Sequence, residues 1–126
     1  MKRKDNLYKG IQSGVLKSHR ASVKAGWYHD IRTGKPKRRN LGEMLCLIHS
    51  EISEAMEGER KQLNDDKLKH RPMVEVELAD AMIRIFDYAG YRKLDLAGAV
   101  LEKMAYNRKR ADHKVGNRKK AGGKRF

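Results

Sequence analysis

The chain has 126 residues, which is enough for one domain with a modest core. Its hydrophobic content of 39% and mean hydropathy of −0.85 are low for a globular protein, which favours self-association to complete the core. No apolar run could span a membrane and no signal-peptide pattern is present, so we expect a soluble, cytoplasmic protein without a membrane partner. The single cysteine, Cys46, excludes disulfide and cysteine-based metal sites and is predicted to be a buried thiol.

The formal net charge of +14 suggests a polyanionic partner, but the charges are unevenly distributed. Ten of the 16 acidic residues lie between Glu43 and Asp80. Twelve Lys or Arg residues lie from Lys2 to Arg39, and ten more from Lys103 to Arg125. An acidic centre between basic ends suits an anionic ligand that is held through a cation.

The first helix is predicted from about Ser13 to Ala25, after frayed residues 1–12, and Gly26 is expected to end it. Trp27 and Tyr28 follow at once. This aromatic pair is interpreted either as a hydrophobic plug over the end of a bundle or as a wall that stacks a base. Residues 30–40 are predicted to be a solvated loop.

Two further helices follow in the acidic centre. The second starts near Asn40, a predicted N-cap, and has an apolar stripe of Leu41, Met44, Leu45, Ile48, Ile52, Ala55 and Met56. The third runs from Met73 to about Ala89, with Pro72 at its start and Gly90 as its stop. Its predicted packing face comprises Leu78, Ala79, Met82, Ile85, Phe86 and Ala89.

A fourth helix is predicted from about Asp95 to Ala111. Lys103, Asn107 and Arg110 share one of its faces and could hold phosphates. We therefore expect an all-α fold, a helical bundle of about four helices completed by dimerisation. The bundle domain would span residues 1–113, and residues 114–126 would form a basic, mobile tail.

Four carboxylates stand out because of their spacing. Glu51 and Glu54 are three residues apart, as are Glu77 and Asp80, so each pair shares a helix face. Such residues are often merely solvated, but two pairs beside apolar stripes would repel one another unless a cation lay between them. Oxygen ligands favour magnesium, and the histidines show no paired spacing that would favour a transition metal.

The motif Glu51-x-x-Glu54, 22 intervening residues, Glu77-x-x-Asp80 and a downstream Lys103-x-x-x-Asn107 resembles the MazG-like nucleoside triphosphate pyrophosphohydrolases. These belong to the all-α NTP pyrophosphatase superfamily. The segments GEMLCLIHSEISEAMEGER, VELADAMIRIFDYAG and EKMAYNRKRADHK look like the three helical blocks of small stand-alone bacterial and phage members. The resemblance covers roughly residues 19 to 126.

The resemblance implies a specific site and reaction. The protein would hydrolyse a nucleoside or deoxynucleoside triphosphate to a monophosphate and pyrophosphate, with Mg²⁺, or Mn²⁺ as a substitute. The implied metal ligands are Glu51, Glu54, Glu77 and Asp80. Lys103 and Asn107 would contact the phosphate or the sugar of the nucleotide. The resemblance assigns Arg110 to the same contact on weaker grounds, and Trp27 is a further candidate for contact with the substrate.

Glu54 is our candidate for a dual role as metal ligand and general base. A homodimer, or a dimer of dimers, is the expected assembly. Two alternatives stay open: a nucleic-acid-binding helical protein whose acids are structural, or a hydrolase of another pyrophosphate-containing nucleotide such as an alarmone.

Overall fold

The computed structural model describes residues 5–126, and these form α-helices joined by turns. The helices are α1 (Asn6–Lys24), α2 (Leu41–Lys61), α3 (Met73–Arg92), α4 (Leu96–Lys109) and the short α5 (Val115–Arg118), with a 3₁₀ turn at Ala111–His113. The predicted all-α class is confirmed. Within residues 5–126, extended pairing is limited to two isolated bridges, one of them between His29 and Pro36.

The chain divides into two compact units, which are described separately. The central unit comprises residues 13–94, and the terminal unit comprises residues 95–126 with the described residues up to Gln12. Among the helices of residues 5–126, we found none with the length and apolar character that crossing a membrane requires.

Helix α1 begins earlier than the sequence predicted. It starts at Asn6 rather than near Ser13, so residues 6–12 of the segment predicted to be frayed are helical. The physical reason is a cap, because the Asp5 carboxylate accepts a hydrogen bond from the Leu7 amide at 2.7 Å. Residues 1–4, which the same prediction included, lie outside the described residues. The helix ends at Lys24, and Gly26 follows with a φ of +87°, as its predicted stop role requires.

The start of α2 agrees with the prediction. The side chain of Asn40 accepts a hydrogen bond from the Glu43 amide at 2.9 Å. Helix α3 begins directly after Pro72. Between the two helices, the buried Asp65 carboxylate accepts the amides of Lys67 and Leu68 and thereby fixes the connecting loop.

Gly90 does not end α3, which corrects the sequence prediction. The helix continues to Arg92, and Lys93 caps it with a φ of +54°. A Cβ atom on Gly90 would lie 2.6 Å from Cβ of His19 in α1. The glycine therefore allows α1 and α3 to approach closely and has no role as a helix stop.

Helices α2 and α3 form an antiparallel pair with a narrow buried interface. The buried residues of α2 are Met44, Glu51, Ala55 and Gly58, and those of α3 are Ala81, Asp87 and Ala89. Near the connecting loop, a Cβ on Gly58 would meet Met73 at 2.8 Å, so the glycine lets the two helix backbones approach closely there. The Glu51 carboxylate lies in this interface, where Arg84 contacts it.

The predicted apolar packing faces are largely uncovered in the single chain, which corrects that interpretation. The side chains of Met56 and Met82 are 56% and 54% exposed, and Leu45, Ile52, Leu78 and Ile85 are exposed as well. Cys46 is also exposed, so the predicted buried thiol is wrong. Met44 and Ala55 of the predicted α2 stripe and Ala89 of the predicted α3 face are buried, so the prediction holds for part of each face.

In the terminal unit, α4 is capped by Asp95. Its carboxylate accepts the Gly98 amide at 2.9 Å and also lies 3.4 Å from the Tyr8 hydroxyl of α1. The helix ends at Lys109, two residues before the predicted Ala111, and Ala97 and Gly98 are its buried residues.

Candidate functional site

Three of the four predicted carboxylates meet at the interface of α2 and α3. Glu51 comes from α2, and Glu77 and Asp80 come from α3, and one oxygen from each lies within 4.8 Å of the others. The three-residue spacing of Glu77 and Asp80 places both on one face of α3, opposite Glu51. The sequence prediction that these residues converge is therefore supported by their geometry.

Glu54 lies beside this acidic cluster, which we define as Glu51, Glu77 and Asp80. It is exposed, and hydrogen bonding to Glu51 is the main cause of a raised pKa at Glu54, to which the charge of Glu51 adds. Glu54 therefore lies at the edge of the acidic cluster and is not one of the three carboxylates that approach one another closely.

Arg84 is the internal counter-ion of the cluster. Its Nε donates to Oε1 of Glu51 at 2.7 Å, and it lies one turn after Asp80 on α3. Burial alone would raise the pKa of Glu51, but the hydrogen bonds from Arg84 and Glu77 outweigh burial and lower it. Glu51 therefore stays ionised in the folded protein.

Glu77 and Asp80 are shifted in the opposite direction. Burial, together with the hydrogen bond to Glu51 and the charges of its acidic neighbours, raises the pKa of Glu77 from 4.5 to about 7. Burial and the charge of Glu51 also raise the pKa of Asp80. The single guanidinium thus does not neutralise the cluster, and near neutral pH Glu77 retains a proton part of the time.

The donor set fits a hard divalent cation. All three close groups offer carboxylate oxygen, and Mg²⁺ and Mn²⁺ prefer oxygen ligands. A cation would also relieve the repulsion that raises the pKa of Glu77 and Asp80. The residues present could therefore hold such an ion.

A cavity of about 510 Å³ opens beside the acidic cluster, within the usual size range of ligand pockets. Glu51, Asp80 and Arg84 are among the residues that line it, and so are Trp27 and Arg39. The Trp27 side chain is 60% exposed, and the guanidinium carbon of Arg39 lies 5.9 Å from the centre of its ring. The cavity thus combines carboxylates with an accessible indole and a cation.

Tyr28 has a different role from its neighbour Trp27. It is buried, and its hydroxyl donates to Oδ1 of Asp87 at 2.8 Å, where Nδ1 of His19 also lies within 3.0 Å. Burial and this hydrogen bond raise the pKa of Tyr28. Its ring also packs on Tyr91, with centroids 4.7 Å apart. Tyr28 therefore fits the interpretation as a hydrophobic plug, whereas Trp27 has the exposure that stacking on a base requires.

The three predicted phosphate contacts lie in the terminal unit, at the end of α4. Lys103 and Arg110 line a depression of about 700 Å³, in which Nζ of Lys103 lies 4.8 Å from the ring centre of Tyr106. Arg110 donates from Nε to Asp112 at 2.9 Å and reaches Asn107 at 3.5 Å. Arg110 is therefore already paired with a carboxylate. The role of these residues toward a nucleotide stays a prediction.

Sequence reasoning missed three residues that shape the site. Helical periodicity puts Arg84 and Asp87 on the α3 face that carries Glu77 and Asp80, but it indicated no role for either residue. Their spacing of four and seven residues from Asp80 was the available signal. Arg39 was counted only as one of several cations in a loop, because nothing local indicates that it reaches an aromatic ring.

No family model matches the chain, and neither the curated proteins nor the solved structures contain a significant match to it.

Proposed function

We propose that this protein is a metal-dependent nucleotide pyrophosphohydrolase that converts a nucleoside or deoxynucleoside triphosphate to a monophosphate and pyrophosphate. The observation that carries the proposal is the 510 Å³ cavity, whose lining includes carboxylates of the acidic cluster together with an exposed indole and a guanidinium. A metal-bound triphosphate is chemically complementary to the carboxylates, and a flat base is complementary to the indole. The resemblance to MazG-like enzymes, which rests on the spacing of the same carboxylates, points to the same reaction.

Glu51, Glu77 and Asp80 would hold Mg²⁺, or Mn²⁺ in its place. When bound, the ion would neutralise phosphate charge and acidify a coordinated water. Arg84 orients Glu51 through its Nε hydrogen bond at 2.7 Å. The deprotonated Glu77 is the ligand form, so loading with metal requires its proton to leave.

Glu54 would accept the proton of the attacking water. Its exposed carboxyl has a raised pKa because it is hydrogen-bonded to Glu51, and a raised value improves a carboxylate as a base. The water oxygen would form a new bond to phosphorus as the bond to the pyrophosphate oxygen breaks. The resemblance also assigns phosphate or sugar contacts to Lys103 and Asn107, and more weakly to Arg110.

Trp27 would stack the base, with Arg39 holding the indole from one side. The guanidinium of Arg39 also lies 5.7 Å from the Tyr28 ring centre, and its amide donates to the Tyr91 hydroxyl at 3.2 Å. These contacts fix the loop on which Trp27 sits. A stacking contact does not distinguish strongly among bases, which is compatible with a broad nucleotide range.

The uncovered apolar stripes support assembly into a homodimer or a dimer of dimers. On α2 the exposed residues Leu45, Ile52 and Met56 each directly follow a buried residue, and on α3 the exposed Met82 directly follows the buried Ala81. A second copy of the chain offers an identical apolar surface, as a two-fold interface requires.

The proposal is tested by incubating the purified protein with Mg²⁺ and each of the eight common NTPs and dNTPs, together with an alarmone, and measuring pyrophosphate release. Glu54→Ala and Asp80→Ala should each lower turnover at least 100-fold, while helical circular dichroism is retained. Glu59→Ala on α2 and Glu75→Ala on α3 are matched controls, because both carboxylates are exposed and lie outside the cluster. Absence of pyrophosphate from all eight triphosphates, or normal rates in both site variants, would refute the proposal. Turnover of the alarmone alone would favour the alternative substrate.

A further inference from the structure

The carboxyl-terminal part of the chain concentrates positive charge in a small folded segment. Residues 95–126 contain ten Lys or Arg residues and three Asp or Glu residues. Residues 114–126, which we call the basic knob, contain six of these cations and no acidic residue. This excess is independent of the acidic cluster, which lies in the central unit.

Backbone contacts give the basic knob a defined shape. Arg118 donates from Nε to the carbonyl of Lys124 and from Nη2 to that of Arg125, each at 3.1 Å. Gly122 has a φ of +77°, and a Cβ on Gly123 would collide with the Arg118 carbonyl. The two glycines therefore let the last residues fold back onto α5. The guanidinium of Arg118 therefore stabilises this turn through its hydrogen bonds to the two carbonyls.

The other cations of the knob point to solvent. Lys114, Lys119, Lys120 and Arg125 are exposed, and no ion pair joins their side chains to another described residue. Asp112, which precedes the knob, is engaged by Arg110 and lies 3.8 Å from Nζ of Lys124. Mutual repulsion among such cations destabilises the folded segment unless a polyanion accompanies it.

The surface of the knob is concave. A depression of about 390 Å³ is lined by Arg118, Lys119, Lys124 and Arg125, together with Val115. Asn117 donates from its side-chain nitrogen to the Ala111 carbonyl at 2.7 Å, which ties it to the preceding 3₁₀ turn. The exposed charged groups around the depression are long cationic side chains, which suit contacts with phosphate.

We propose that the basic knob is a docking site for duplex nucleic acid, which it binds through the phosphate backbone. A duplex offers closely spaced negative charge along its whole length, and a concave cluster of long cationic side chains can contact several phosphates at once. This activity goes beyond nucleotide hydrolysis and uses none of the residues proposed for the hydrolytic reaction.

The test is fluorescence anisotropy of a labelled mixed-sequence duplex of about 24 base pairs, titrated with the full chain over a range of salt concentrations. The triple variant Lys119→Gln, Lys120→Gln, Arg125→Gln should weaken binding at least 10-fold and reduce the salt slope of log K by about 2 to 3, near 0.9 for each lost phosphate contact. The matched control is Arg32→Gln, Lys35→Gln, Lys69→Gln, which removes three exposed cations from the central unit and should leave both quantities unchanged.

Three results would overturn the proposal. These are absence of duplex binding at about 50 mM salt, where phosphate contacts are strongest, an equal loss in both triple variants, and tighter binding to vesicles of anionic lipid than to the duplex. Hydrolysis measured in parallel should be the same in both triple variants. A failure of hydrolysis in the unmodified chain would refute the enzymatic proposal and leave the docking result standing.

Discussion

Nε of Arg84 donates to Oε1 of Glu51 at 2.7 Å across the interface of α2 and α3. The Glu51 carboxylate is nearly buried, while the Arg84 side chain is 42% exposed. The chain therefore supplies one cation of its own to a group of three carboxylates. This contact lets the acidic cluster fold before any metal arrives, and it leaves two carboxyl groups with raised pKa values.

Loss of this internal cation should make the fold depend on added metal. Without divalent ions, Arg84→Gln should melt at a lower temperature than the unmodified protein, because repulsion within the cluster is no longer offset. Addition of Mg²⁺ should then raise its melting temperature by more than it raises that of the unmodified protein. Arg92→Gln is the matched control, since Arg92 is exposed on the same helix and its guanidinium donates to the Tyr88 hydroxyl rather than to a carboxylate. Equal responses to Mg²⁺ in both variants would contradict this expectation.

The raised pKa of Glu77 predicts how stability depends on pH. Between its ordinary value of 4.5 and about 7, the folded state binds more protons than the unfolded state. The free energy of unfolding, measured without metal, should therefore fall as pH rises through this window. Glu77→Gln removes the titrating group and should flatten this part of the profile. An unchanged slope in the variant would show that another group is responsible.

The same proton should compete with metal. Because the ligand form of Glu77 is deprotonated, the apparent affinity for Mg²⁺ should increase as pH approaches and passes about 7. Calorimetry in buffers of different ionisation enthalpy would detect the proton released on binding. Absence of proton release near pH 7 would argue against Glu77 as a ligand.

Two glycine positions should respond oppositely to the same substitution. Gly90→Ala would place a Cβ 2.6 Å from that of His19 and should destabilise the protein by about 1 to 3 kcal/mol. Gly10→Ala meets nothing within 4 Å and lies within α1, so it should stabilise by about 0.5 to 1 kcal/mol. Denaturant titration of both variants measures the difference. Stabilisation by Gly90→Ala would show that the close approach of α1 and α3 is not required.

The exposed methionines test the proposed self-association. Met56→Lys and Met82→Lys each place a charge in the centre of an apolar stripe, so either should shift the assembly toward monomers. Light scattering coupled to gel filtration gives the mass. Gln62→Lys is a suitable control because it adds the same charge at an exposed position outside the stripes. A monomeric unmodified chain would contradict the dimer directly.

Helix positions and the grouping of the acids could be predicted from the sequence because both depend on local periodicity. The spacing of Glu77 and Asp80 determines that they share a face, and an N-cap such as Asn40 acts within one turn. The rotation of each helix about its axis could not be predicted in the same way. Large side chains such as Met82 suggested the buried face of α3, and Met82 is 54% exposed, whereas the small side chain of Ala89 on the same predicted face is buried.

Contacts between distant parts of the chain explain the remaining differences. Gly90 looks like a helix stop locally, but its neighbour is His19, 71 residues earlier in the sequence. Asp87 likewise acquires its partners, Tyr28 and His19, only when α1 and the segment after it pack on α3. Periodicity carries no information about such pairings.

The uncovered stripes of α2 and α3 also affect how the chain would respond to change. In a two-fold assembly each residue occurs twice, so a single coding change alters both sides of the contact at once. The effect of a substitution at Met56 or Met82 on the free energy of association would therefore occur twice in each dimer, whether it weakens or strengthens the contact. This surface should consequently be the part of the molecule where oligomeric state can be altered in the fewest mutational steps.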